Sequence, residues 1–87
     1  MHMENLLSIL EKAPLEEGVS AEIIAANLYK LIEPTLKKGI ITEQEELDFC
    51  NMVDVALDEN GLTNDAARIE ALNQIYKATG FPYFFKG

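Results

Sequence analysis

Eight carboxylates and no lysine or arginine lie between Gly39 and Ala67: Glu43, Glu45, Glu46, Asp48, Asp54, Asp58, Glu59 and Asp65. Carboxylates at this density could hold a hard cation, trade protons as an acid-base pair, or set up a field that recruits a basic macromolecule. The cation reading centres on Asp58-Glu59-Asn60-Gly61, which looks like part of an EF-hand loop. With Gly61 at the sixth loop position, however, the first and twelfth positions fall on Ala56 and Ala67, where that loop needs carboxylates. A helix stop at Gly61 accounts for the same residues. Acid-base work needs one pair set apart from the rest, and no spacing in the stretch singles out a pair.

The remaining reactive residue types are few. Cys50 is the single cysteine and His2 the single histidine, too few for a closed tetrahedral metal site within one chain. Cys50 falls on the apolar side of its segment, where a thiol behaves as a small hydrophobe. Ser8 and Ser20 lack a histidine base in the body of the chain, and Ser20 precedes an apolar-periodic run as a helix cap would. The five glycines form neither GxGxxG nor GxxxxGK[ST]. The expectation is a non-enzymatic protein that uses no cofactor.

What is left is the field. The formal charge is −8, all of it in the one acidic stretch, because the flanks carry seven acids against seven bases. A one-signed surface repels nucleic acid and anionic membrane and attracts basic proteins. The bases Lys12, Lys30, Lys37, Lys38, Arg68, Lys77 and Lys86 are scattered and outnumbered about two to one, which argues against direct binding of nucleic acid. No apolar run approaches the roughly 18 residues a membrane span requires. A lone cysteine fits a reducing compartment, so a cytoplasmic location is expected. Met1-His2 reads as a cloning remnant ahead of a natural start at Met3, leaving residues 3–87 as one domain.

Apolar residues recur at helical spacing almost throughout, so the elements that must position these carboxylates are helices, about four, in a small all-α bundle. The first spans about Met3 to Lys12, with Leu6, Leu7, Ile9 and Leu10 on one side, and stops at Ala13-Pro14. An acidic loop, Leu15 to Val19, leads to Ser20 as the cap of a second helix whose inward face holds Ile24, Leu28, Leu31, Ile32 and Leu36. Pro34 predicts a kink or break near Glu33, and Gly39 the stop. Thr42-Glu43-Gln44-Glu45 has the capping-box pattern and opens a third helix running to about Asn60. Its apolar side takes Phe49, Cys50, Met52, Val53, Ala56 and Leu57, and its acidic side Glu43, Asp48, Asn51, Asp54 and Asp58. Thr63, with Asn64 and Asp65 in the first turn, opens a fourth helix with Ile69, Leu72, Ile75 and Tyr76 inward, ending at Gly80.

Two features remain outside this scheme. Phe81-Pro82-Tyr83-Phe84-Phe85-Lys86-Gly87 holds four of the seven aromatic residues; it is expected to fold back over the bundle, with Tyr83, Phe84 and Phe85 also able to anchor a partner. Leu47 and Val55 fall inside the acidic arc of the third helix, unless that helix is central in the fold and they face a neighbour. Apolar residues ringed by charge have the composition of an interface. The expected partner-binding set is therefore Glu43, Leu47, Asp48, Asn51, Asp54, Val55, Asp58, Tyr83, Phe84 and Phe85. The chain reads as a protein that binds and blocks or sequesters a basic partner, such as a toxin or a protein acting on nucleic acid. Immunity proteins of bacterial toxins and phage inhibitors of nucleases are similar in size, charge and helical content, with no diagnostic motif matched. The alternative is a subunit of a homodimer or larger assembly joined through the aromatic tail and exposed apolar residues.

Overall fold

The computed structural model describes residues 2–79, which form four helices joined by short turns: α1 (Met3–Glu11), α2 (Ala21–Lys38), α3 (Glu43–Glu59) and α4 (Asp65–Thr79). Each helix packs on its sequence neighbour and α4 closes back on α1, so the chain forms a ring of four helices around one core, the all-α bundle that the periodicity predicts. The expected packing of the aromatic tail lies outside the described residues.

The start signals act as anticipated at α2 and α3. Ser20 accepts from the Ile23 amide at 3.4 Å. At α3 the capping box closes in both directions: Thr42 Oγ1 accepts from the Glu45 amide at 3.1 Å, and Glu45 Oε1 accepts from the Thr42 amide at 3.2 Å. At α4 the sequence reading is off by one residue. The cap is Asn64, whose Oδ1 accepts from the Ala67 amide at 3.0 Å, while Thr63 turns its hydroxyl outward to donate to Glu16 at 2.8 Å. Either side chain can cap a helix; the Glu16 carboxylate across the turn claims the threonine.

The α3–α4 turn carries the sharpest stop. Leu62 N–H donates to the Leu57 carbonyl at 2.9 Å and Gly61 N–H to the Asp58 carbonyl at 3.2 Å, the paired bonds of a Schellman motif, and Leu62 is fully buried beside Leu57. Gly61 sits at φ +111°, and a Cβ there would lie 2.6 Å from a Val19 methyl, so both conformation and space require glycine.

The core is built from Leu6 and Leu10 of α1, Ile24, Ala25, Leu28 and Ile32 of α2, Phe49, Cys50, Val53, Ala56 and Leu57 of α3, Leu62, and Ala71, Leu72, Ile75 and Tyr76 of α4. No buried charged or polar residue is found among the described residues. Several expected inward positions lie further out. Leu7, Ile9, Leu31 and Leu36 pack only at the edge of the core. Met52 is 37% exposed and Ile69 39% exposed, with the small Ala71 taking the inner place on α4 that lets that helix approach its neighbours. Nor does Pro34 break α2, which is unbroken from Ala21 to Lys38. Pro34 and Lys30, whose carbonyl loses its donor, are both exposed, so solvent can satisfy the freed carbonyl without ending the helix.

Candidate interaction surface

Helix α3 packs on α2 along one flank and on α4 along the other. Phe49, Cys50, Val53, Ala56 and Leu57 point into the core, leaving the opposite surface free of any other helix among the described residues. Leu47 is 42% and Val55 52% exposed there. Leu47, Asn51 and Val55 follow each other at intervals of four residues, which places them in one line along the outer surface. Among the described residues, no neighbouring helix faces these two apolar residues. Glu43, Asp48, Asn51 and Asp58 are exposed with them, and Asp54 is half-buried.

The acids of this face are not equivalent. Arg68 follows the acidic stretch and turns back on it from α4: Nε donates to Asp54 at 3.1 Å, Nη1 to Asp58 at 3.3 Å, and Nη2 to Asp65. The same Nη1 donates to the Thr63 carbonyl at 2.6 Å, tying the turn to both helices. The side chain is only 14% exposed. Burial opposes its charge, but the Asp54 and Asp65 carboxylates outweigh that cost and hold the guanidinium deeper in its charged range. Three carboxylates thus converge on a cation supplied by the chain itself. No cluster of three or more potential metal ligands suited to an ion occurs among the described residues.

The base at the other border behaves the same way. Lys38, at the end of α2, bridges Glu45 at 2.5 Å. The Lys38 bond, followed by the Thr42 amide, holds the Glu45 carboxyl below its usual value. Two bases thus answer four of the eight carboxylates. Glu43, Glu46, Asp48 and Glu59 have no ion pair among the described residues. Of these, Glu43 and Asp48 belong to the expected partner-binding set and sit at the N-terminal half of the Leu47–Val55 line, so the uncompensated field is strongest there. Asp54 and Asp58, at the α4 edge, are engaged in holding the turn. The sequence signal for this division was available in part: Arg68 stands three residues after Asp65, and Asp54 and Asp58 are one turn apart. That α4 crosses α3 at that height is a property of the packing. Tyr83, Phe84 and Phe85, the rest of the expected set, lie outside the described residues.

The underside of α3 holds the one thiol. Cys50 is buried and interacts with Tyr76 across the α3–α4 contact, where the rings of Phe49 and Tyr76 meet at 6.0 Å. Burial pushes the thiol above its usual pKa and the phenol far above its own, so both stay protonated at neutral pH. A larger cleft, about 370 Å³, lies on the far side of the bundle between α1 and α4, lined by Ile9, Lys12, Ala13, Pro14, Ala67, Glu70 and Ala71 among others. No helix of the described residues is long and apolar enough to cross a membrane.

Comparison with known proteins gives no match: no family model, no curated protein and no solved structure is significantly similar to the chain.

Proposed function

We propose that this protein is a non-enzymatic binding domain whose outer α3 surface docks onto a basic protein and blocks or sequesters it. The observation that carries the reading is the exposed line of Leu47, Asn51 and Val55, bordered by carboxylates that no base of the described residues neutralises. Apolar side chains at the centre supply affinity when desolvated, and the charged rim supplies orientation and a fast encounter. A partner evolved to hold nucleic acid would present the complementary field. Self-association through this same surface is disfavoured, because it would bring together two faces that carry the same uncompensated negative charge.

The test is a quantitative affinity capture from host lysate, comparing the wild type with Leu47→Arg/Val55→Arg. Both positions are exposed, so the variant should keep its helical circular dichroism and melting temperature while losing a basic protein that the wild type retains. Equal capture by both proteins would remove α3 as the binding surface.

A further inference from the structure

We propose that the notch between the C-terminal half of α2 and the first turns of α3 receives a single lysine or arginine side chain of the partner. The proposal rests on the reading of α3 as a docking surface and names the contact at its α2 edge. The notch has a volume of about 190 Å³ and is lined by Thr35, Glu45, Asp48, Phe49 and Met52. Its lining is of two kinds. Phe49, 2% exposed, belongs to the core beneath it, and the thioether of Met52, 37% exposed, forms an apolar wall. Glu45 and Asp48, three residues apart on one helix, contribute carboxylates from one side.

Apolar lining beside two carboxylates is complementary to a side chain with an aliphatic stem and a cationic head, which lays methylenes on apolar surface while its charge stays in water. The two acids have different capacity left. Glu45 already accepts from the Thr42 amide and from Lys38. Asp48 accepts one bond, from Gln44 at 2.9 Å, and has no cation among the described residues. The incoming head group therefore pairs with Asp48, while Lys38 on Glu45 shows the same pairing already made within the chain at the neighbouring carboxylate. No group of three or more His, Cys, Asp or Glu side chains that could hold a metal ion occurs here among the described residues.

The experiment uses the full chain with 13C-labelled methionine methyl groups and, as probe, an acetylated and amidated Gly-Arg-Gly peptide. Its citrulline counterpart, of the same shape without the charge, is the control. The Met52 methyl resonance should shift saturably with the arginine peptide and several-fold less with the citrulline peptide. Asp48→Asn should weaken the arginine response by up to about fivefold, the size of an exposed ion pair, and Glu17→Gln, in the α1–α2 loop, should leave it unchanged. No shift at Met52, an equal shift with citrulline, or indifference to Asp48→Asn overturns the notch. If the notch fails while Leu47→Arg/Val55→Arg still abolishes capture, the docking surface stands without this contact. If capture survives that double substitution, the surface itself is wrong.

Discussion

Replacing Gly61 by alanine tests whether the α3–α4 turn is built as described, and with it the frame that brings Arg68 under Asp54 and Asp58. Two separate costs follow from the structure. At φ +111° an alanine is held where L-residues are strained, at about 1 to 3 kcal/mol. Its Cβ would also sit 2.6 Å and 3.0 Å from the two Val19 methyls, an overpacking cost of about 1 to 3 kcal/mol as Val19 shifts away. Together the loss should be roughly 2 to 5 kcal/mol after partial relaxation, a large share of the stability of a domain this size. At about 4 to 8 °C per kcal/mol, the melting temperature should fall by at least about 8 °C. The assay is urea and thermal denaturation followed at the helical circular dichroism band. The companion variant Val19→Ala separates the two costs: it removes the methyls but not the strain, so Gly61→Ala should cost less in the Val19→Ala background than in the wild type. A Gly61→Ala protein within about 0.5 kcal/mol of wild type, below the strain range alone, or a pair of substitutions that simply add, would refute the reasoning.

Other outcomes follow from the same geometry. Cys50 should be unreactive toward a thiol reagent in the native protein and modified only at the rate of unfolding, because burial removes both access and thiolate; rapid native modification measured with a chromogenic disulfide would contradict its placement. Glu45 has a carboxyl pKa lowered from the usual 4.5, so its ionised form contributes stability that is fully present above that value and is lost as pH falls through the lowered one. The stability gap between wild type and Glu45→Gln, followed by thermal melts from pH 7 downward, should be constant through the neutral range and close as pH falls below the usual 4.5 and through the lowered pKa. A gap that widened on acidification would reverse the sign of the argument.

Local chemistry was well written in the sequence, and what depended on helix crossing was not. Thr42 with Glu45, Ser20, Gly39 and Gly61 mark helix ends because each satisfies or frees backbone groups within a few residues, a requirement that needs no tertiary partner. The misplaced cap at Thr63 shows where that logic stops, since two adjacent residues could cap and a side chain 47 residues away decided between them. Ile69 and Met52 are apolar yet well exposed, whereas Ala71 is buried, because close packing of α4 favours a small residue at the contact over the most hydrophobic one nearby. Of the candidate site, periodicity places Leu47 and Val55 within the acidic arc of α3, but that this arc faces outward among the described residues required the packing of the helices. That Arg68 engages Asp54 and Asp58, leaving Glu43 and Asp48 as charges of the face with no ion pair among the described residues, required the position of α4.

The central claim is that the partner is steered to α3 by the Glu43 and Asp48 carboxylates. Its most direct test is the association rate of the captured partner at two ionic strengths, for wild type and for Glu43→Lys/Asp48→Lys. Both side chains are exposed and neither holds an ion pair among the described residues, so the fold should tolerate the change. Rim charges act mainly on encounter. The wild-type association rate should fall steeply with added salt, and the double reversal should lower it at low salt with little change in dissociation. An association rate indifferent to salt and to both substitutions would contradict the account.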